Sequence, residues 1–374
     1  MSAPHVITHA WRSFLKRRFL SCIIIIAVSG IILAKESEVV VRNVVDKISL
    51  GGTLAEPDSV APKGAVLLLS GSGSQNRDEE VFGHRPFKVL SDYLVSRGYA
   101  VLRTDDRGVG RSEGDPAQVM AADLISDARS CVSFLDSCFG GKVPVGVIGH
   151  SEGGQTAYRL ASGNMSCRFI VTLAAPSWEG DSIIISQCRA MAMAMSGAWP
   201  GETLQKRLMA IAKSDMPAEE AGPVIRAAMG EVMGEMMKYP QVQAQIERQT
   251  EVLLSPSYRE MLRYNPEEDI RKVCVPWLAL NGLKDLQVIP ANLLTIKSQN
   301  PKVEVCELEN HNHLFQQTSS GLVTEYARLG QSPSEETLCR IADWLDGVIK
   351  NFKSQLLKTS ERMAGDFKLD SPGK

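Results

Sequence analysis

The segment 147–154 reads Val-Ile-Gly-His-Ser-Glu-Gly-Gly and joins an apolar strand, predicted over 143–148, to a stretch compatible with a helix. Gly149, Ser151 and Gly153 fit the G-x-S-x-G pattern of a nucleophile elbow. A sharp strand-to-helix turn brings two backbones together, and glycine avoids the collision because it has no Cβ. We expect the turn to lift Ser151 Oγ above the sheet at a helix N-terminus, which favours negative charge. The pattern also occurs in plain glycine-serine loops, but its place between a strand and a helix favours a catalytic interpretation.

Composition is typical of a globular protein with one large or two ordinary domains. The chain has 374 residues, of which 44% are hydrophobic and 22% are charged. The formal net charge of −2 provides no basic excess, so we expect no nucleic-acid partner. The sequence has no phosphate-binding Walker motif and no zinc-type cysteine pairing, so we expect neither a cofactor nor a metal. The eight cysteines are scattered and form no disulfide framework.

The N-terminus carries a basic cluster followed by an apolar run. Arg12, Lys16, Arg17 and Arg18 precede the 16 uncharged residues 19–34. This run is short for a membrane span, which needs about 20 residues. We therefore predict that residues 1–34 form a secretory signal peptide or, alternatively, an uncleaved membrane anchor. Either alternative places the rest of the chain outside the cytoplasm, with membrane contact only through this segment.

Apolar strands alternate with helical stretches along most of the remaining chain. The predicted strands cover 65–69, 99–104, 143–148, 169–173, 273–280 and 303–308, and two further strands are predicted to meet near Gly51 and Gly52. Helices are predicted over 84–97, 117–138 and 333–352. This alternation indicates an α/β fold with a mostly parallel sheet covered by helices on both faces.

One long stretch interrupts the alternation. Residues 177–268 contain only helical patterns, and ten of the 14 methionines fall there. We predict a helical cap at 177–268 between two parts of a core, 38–176 and 269–352, with a polar tail at 353–374. The methionines have two interpretations: packing inside the cap, or a pliant apolar lining above the active site.

A serine nucleophile needs a base, and chain order restricts where that base lies. Catalytic triads built on a G-x-S-x-G elbow follow the chain order serine, acid, histidine. The base must therefore lie after Ser151, and only His311 and His313 do so. We favour His313, because the apolar residues after it can anchor the following turn. The acid is expected to follow the preceding strand, which makes Asp285 the candidate, whereas Asp269 and Asp343 lie too early and too late.

An oxyanion hole needs two backbone N–H donors. One is expected from Glu152, the residue after the nucleophile. The second is expected in the Ser-Gly-Ser-Gly loop at 70–73, from Ser72 or the adjacent Gly73. The charged, glycine-rich segment 105–112 has two interpretations, a pocket floor or a buried Asp–Arg brace, of which we favour the brace.

Taken together, these segments resemble bacterial α/β-hydrolase serine esterases, in particular the EstD-type or lysophospholipase-like carboxylesterases. The matching segments, all within about 45–350, are 70–73 with 77–79, 106–112, 149–154, 280–288 and 312–316. The resemblance implies an α/β-hydrolase fold with Ser151, Asp285 and His313 as the catalytic triad, and it supports His313 over His311. Ser74 stands where the family has proline, and Asn76 where it has an acidic residue.

The expected chemistry is hydrolysis of a carboxylic ester through an acyl-enzyme, with a small-molecule substrate that has an apolar acyl or alcohol part. Acyl thioesterases, small peptidases and amidases use the same elbow and remain alternatives. A hydrolase-like binding protein without activity is the alternative from another class, although that interpretation would require a broken triad.

Overall fold

The computed structural model describes residues 34–163 and 167–369, with side chains as far as 355. The predicted signal peptide or anchor therefore lies outside the described residues, except for Ala34, which begins the first strand. Within the described ranges, no helix combines the length and the apolar character that crossing a membrane requires. The seven cysteines in these ranges are not paired in disulfides.

Eight strands form one sheet. They are β1 (Ala34–Asn43), β2 (Ile48–Pro57), β3 (Ala65–Leu69), β4 (Ala100–Thr104), β5 (Val145–His150), β6 (Ile170–Leu173), β7 (Trp277–Gly282) and β8 (Glu304–Leu308). Their order across the sheet is β1-β2-β4-β3-β5-β6-β7-β8. The β1–β2 and β2–β4 pairs are antiparallel, and all later pairs are parallel. The predicted mostly parallel sheet is confirmed.

Helices connect the strands and follow the last one. They are α1 (Pro86–Ser96), α2 (Ala121–Cys138), α3 (Glu152–Ser162), α4 (Gly180–Ser196), α5 (Glu202–Lys213), α6 (Ala218–Met233), α7 (Pro240–Leu254), α8 (Pro256–Arg263), α9 (Glu267–Lys272), α10 (Ala291–Gln299) and α11 (Glu335–Leu369). Short 3₁₀ helices lie at Pro116–Gln118, Gly234–Lys238 and Val323–Arg328.

The core has one layer on each face of the sheet. In β3, Ala65 and Leu67 pack into one hydrophobic cluster, whereas Val66 and Leu68 pack into the other. Successive side chains of a strand point to opposite faces, so the two clusters lie on opposite sides. Helices α2, α3, α9 and α10 cover the first face, while α1 and α11 cover the second. Burial on both faces explains why the central strands are continuous apolar runs.

Helices α4 to α8, here called the helical insertion (Gly180–Arg263), lie between β6 and β7 in the sequence. The insertion has a hydrophobic cluster of its own, in which Leu208, Ile225 and Leu262 are fully or nearly fully buried. Met209 and Met229 pack within this cluster, whereas Met195 and Met236 are exposed.

Two local predictions are wrong. The β1–β2 turn lies at 44–47 rather than at Gly51 and Gly52, which stand inside β2. These glycines are needed for close packing, because a Cβ on Gly51 would lie 2.5 Å from Arg111 Cβ. The C-terminal helix, predicted to end at 352, continues to Leu369 in α11 and so extends into the segment predicted as a polar tail. Residues 353–369 are polar but contain no proline, and polar composition alone does not end a helix.

Candidate active site

Ser151 lies at a strained turn between β5 and α3. Its φ is +52° and its ψ is −118°, a conformation that residues with a Cβ rarely adopt. A Cβ on Gly149 would lie 2.1 Å from the carbonyl oxygen of Gly153, and a Cβ on Gly153 would lie 2.1 Å from that of Leu69. The two glycines of the G-x-S-x-G pattern are therefore required by backbone packing around the serine.

Asp285 and His313 meet after the last two strands of the sheet. Asp285 follows β7 and His313 follows β8, and Asp285 Oδ2 lies 2.8 Å from His313 Nδ1. Both side chains are buried, with Asp285 2% and His313 5% exposed. Asp285 Oδ1 accepts the backbone N–H groups of Gln287 and Val288 at 2.8 and 3.0 Å. The carboxylate is thus fixed by backbone on one oxygen and binds the imidazole with the other.

The alternative histidine and acids have other partners. His311 Nε2 lies 2.7 Å from the hydroxyl of Ser334. Burial lowers the pKa of His311. Asp269 accepts hydrogen bonds from Ser162 and Tyr264, and Asp343 pairs with Arg97. Among these candidates, the structure pairs Asp285 with His313.

A cavity of about 660 Å³ lies at the carboxyl ends of strands β3 to β8. Ser151 and His313 both line it, and so do Ser72, Gly73 and Glu152. The helical insertion contributes Ile183, Ile184, Gln187, Val252, Tyr258 and Met261. Of the ten methionines in the predicted cap, Met261 is the one that lines this cavity. A crevice beyond the carboxyl ends of parallel strands is the usual ligand site of such sheets.

Backbone amides converge on the same cavity. Helix α3 begins at Glu152, so the first N–H groups of this helix have no partner within it. In the 70–73 loop, Gly71 N–H donates to Glu79 Oε1 at 2.7 Å, which leaves the next residues, Ser72 and Gly73, as candidate donors. The sequence predicts the second donor at one of these two residues.

Comparisons with known proteins agree with this architecture. The family model described as "Serine aminopeptidase, S33" matches residues 61–222. Esterase EstD of Thermotoga maritima is 22% identical over 300 residues, and the match covers 79% of this chain and 65% of that protein. The chain thus spans just under two thirds of that relative.

Solved structures give the fold. An esterase of Pyrococcus furiosus superimposes with a TM-score of 0.53 at 19% identity, covering 83% of this chain and 90% of that one. Proline iminopeptidase of Mycobacterium smegmatis gives 0.52 at 15% identity, covering 84% and 99%. The chain has the fold of the α/β-hydrolases. The predicted fold is confirmed.

Segment 105–112 contains both of the structures that were proposed for it, a brace and a part of the pocket floor. Asp105 is 4% exposed and forms the expected brace, in which its Oδ2 lies 2.7 Å from Arg77 Nη2. Asp106 instead lines the cavity and accepts hydrogen bonds from Ser70 Oγ at 2.8 Å and Gln75 N at 2.9 Å. Burial raises the pKa of Asp106 to about 7, and the nearby carboxylates of Glu79 and Glu152 act in the same direction.

Two polar residues of the site have no role in the sequence prediction. Glu79 and His150 are 3% and 6% exposed, and His150 Nδ1 lies 2.7 Å from Glu79 Oε1. Both residues lie within segments that the sequence does single out, 77–79 and 149–154. The available signal was a histidine next to the nucleophile together with a carboxylate near the 70–73 loop. Pairing residues 71 positions apart requires the fold.

Proposed function

We propose that this protein is a serine hydrolase that cleaves carboxylic esters through Ser151, His313 and Asp285. One observation carries the proposal: Ser151 stands on a strained elbow and shares a cavity with His313, whose Nδ1 is bound to Asp285. Distant residues of one chain thus supply a nucleophile, a base and an orienting carboxylate at one site.

The reaction follows from the tautomer of His313. Asp285 accepts a hydrogen bond from Nδ1, so in the neutral ring Nε2 keeps the lone pair and can take the hydroxyl proton of Ser151. Ser151 Oγ then attacks the ester carbonyl and forms a tetrahedral oxyanion. His313 returns the proton to the leaving alcohol, and water hydrolyses the acyl-enzyme by the same two proton transfers.

The oxyanion is stabilised by backbone N–H groups at the start of α3 and in the 70–73 loop. We assign one donor to Glu152 and the other to Ser72 or Gly73, all of which line the cavity. A donor aimed at the developing charge contributes roughly 3–4 kcal/mol to transition-state stabilisation in comparable enzymes.

The substrate is proposed to be a small ester with an apolar acyl or alcohol part. Aliphatic side chains of Ile183, Ile184, Val119 and Leu124 line the cavity, and the first two belong to the helical insertion. We therefore assign the insertion the role of a cap over the active site. The basic and apolar N-terminal sequence further supports a location outside the cytoplasm.

Amide hydrolysis is the second candidate, because the matching family model is described as a serine aminopeptidase and one similar fold is a proline iminopeptidase. The esterases of T. maritima and P. furiosus favour esters. The same acyl-enzyme chemistry serves both reactions, so the choice between them depends on the leaving group and on how the cavity holds the substrate.

The direct test measures hydrolysis of p-nitrophenyl acetate and butyrate beside aminoacyl p-nitroanilides. Ser151→Ala is expected to abolish ester hydrolysis without unfolding the protein. Ser162→Ala is the matched control, because Ser162 lies in the same helix and its hydroxyl binds Asp269. Full activity in Ser151→Ala would overturn the proposed triad. Hydrolysis of the anilides without hydrolysis of the esters would show that the protein is a peptidase rather than an esterase.

A further inference from the structure

Glu79 is a buried carboxylate whose Oε1 atom joins two segments of the active site. It accepts the backbone N–H of Gly71 at 2.7 Å and lies 2.7 Å from His150 Nδ1. Gly71 begins the segment that holds the candidate oxyanion donors, and His150 directly precedes Ser151. A single oxygen atom therefore fixes the 70–73 loop relative to the nucleophile elbow.

Glu79 itself is held in an unfavourable backbone conformation. Its φ is +52°, in the left-handed region that residues other than glycine seldom occupy. Asn76 holds the turn, because its Oδ1 accepts the N–H groups of Asp78 and Glu80 and its carbonyl accepts that of Glu79. Such strain persists where the surrounding structure enforces it, often at functional sites.

His150 extends the connection to a third segment. Its Nε2 lies 3.0 Å from the carbonyl oxygen of His313, and the two rings are 4.7 Å apart between centroids. A carboxylate and a carbonyl oxygen are both acceptors, so both ring nitrogens of His150 must donate. With Glu79 as a carboxylate, this pattern assigns His150 as an imidazolium. Burial disfavours this charge, but the carboxylate of Glu79 overcomes that effect and raises the pKa of His150.

We propose that Glu79 and the imidazolium of His150 are positioning residues that lock the oxyanion loop, the nucleophile elbow and the catalytic histidine into one arrangement. His313 is then held at two points, its Nδ1 by Asp285 and its carbonyl oxygen by His150. Gly71 packs directly on the elbow, since a Cβ there would lie 3.3 Å from Ser151 Cβ. Neither Glu79 nor His150 takes part in bond making.

The kinetic part of this inference rests on the proposed function, and Glu79→Gln tests it. If the amide oxygen keeps both hydrogen bonds, the ring becomes neutral and its Nε2 lone pair faces the carbonyl oxygen of His313. If His150 donates from Nε2 instead, its Nδ1 needs the amide NH₂ group, and Gly71 N–H loses its acceptor. One link to the site is lost in either case.

The expected result is a fall in kcat for p-nitrophenyl butyrate of about 10- to 100-fold, because small displacements of reacting groups have effects of this size. KM should change by less than about threefold, since the substrate contacts remain. Asp78→Asn is the matched control: Asp78 is the adjacent buried carboxylate, and it pairs with Arg85 and Arg103. This control should lower stability but leave kcat near that of the wild type.

A second measurement does not depend on activity or on a folded variant. In wild-type protein labelled with ¹⁵N-histidine, NMR at pH 7 should show both ring nitrogens of His150 protonated. A neutral His150 ring overturns the inference, as does wild-type kcat in Glu79→Gln or an equal loss of kcat in Asp78→Asn. If the wild type hydrolyses no ester, the proposed function fails, and the NMR result still decides the state of His150.

Discussion

Asp285 Oδ2 accepts a hydrogen bond from His313 Nδ1 at 2.8 Å. The other oxygen, Oδ1, accepts the backbone N–H groups of Gln287 and Val288. This division of partners has a chemical consequence. An oxygen atom must remain at the Oδ1 position to satisfy two donors. Any amide that replaces the carboxylate therefore turns its NH₂ group toward the imidazole.

Asp285→Asn is accordingly expected to reverse the tautomer of His313. With an NH₂ group facing it, Nδ1 becomes an acceptor and Nε2 carries the proton, so the ring cannot deprotonate Ser151. Ester kcat should fall by a factor on the order of 10⁴, as for the same change in a well-studied serine protease. Steady-state kinetics checks this, with Asp343→Asn as a control at a carboxylate paired with Arg97. A loss below about tenfold would contradict the assigned role of Asp285.

Ser151→Gly should give a more stable protein than Ser151→Ala. Glycine adopts the φ of +52° without strain, whereas alanine keeps the strain of the wild type. After allowance for the greater freedom of glycine in the unfolded chain, the gain in unfolding free energy should be about 1 kcal/mol. Urea denaturation measures it. The same pair of changes at Ser162, the last helical residue of α3, should give the opposite order, because alanine favours helical backbone over glycine.

Gly153→Ala should destabilise the fold. The new Cβ would lie 2.1 Å from the carbonyl oxygen of Leu69 and 2.5 Å from that of Ser70, and these are backbone atoms. Overpacking of this kind typically costs about 1–3 kcal/mol. Gly347→Ala is the control, because nothing lies within 4 Å of the Cβ that it would add in α11. A destabilisation of Gly153→Ala no larger than that of the control would refute the packing argument.

The stability of the wild type should depend on pH through Asp106. Burial raises the pKa of this carboxyl from 3.8 to about 7. Between these values the unfolded chain has released the proton and the folded protein retains it, so stability falls as pH rises through this window. Asp106→Asn removes this pH dependence. The unfolding free energy of the variant minus that of the wild type should therefore increase by a few kcal/mol between pH 4 and 8. Parallel stability profiles for the two proteins would rule this out.

The architecture was predictable because its signals are local. Apolar runs such as 65–69, and the position of the G-x-S-x-G pattern between a strand and a helix, can be recognised from neighbouring residues alone. Gly51 and Gly52 misled the prediction, since glycine marks both turns and close approaches, and the partner atom on Arg111 is distant in sequence. The end of α11 is not evident from the sequence, because polar residues occur both in irregular tails and in exposed helices.

The placement of the candidate site residues could be predicted in part. Chain order and strand ends pointed to Ser151, Asp285 and His313, which the fold brings together beyond the carboxyl ends of the strands. The sequence offered Glu79 and His150 as polar residues near the site but not their pairing, which depends on the register between β3 and β5 and on the turn after β3. The separate roles of Asp105 and Asp106 likewise follow from alternation of side chains that only the tertiary structure resolves.

Labelling with a fluorophosphonate probe tests the central claim most directly, because the probe reacts covalently with a serine that a neighbouring base activates. Peptide mass spectrometry of the labelled protein is predicted to find the adduct on Ser151, and His313→Ala is predicted to suppress it while the protein stays folded. Adduct on another serine, or undiminished labelling of Ser151 in His313→Ala, would contradict the account.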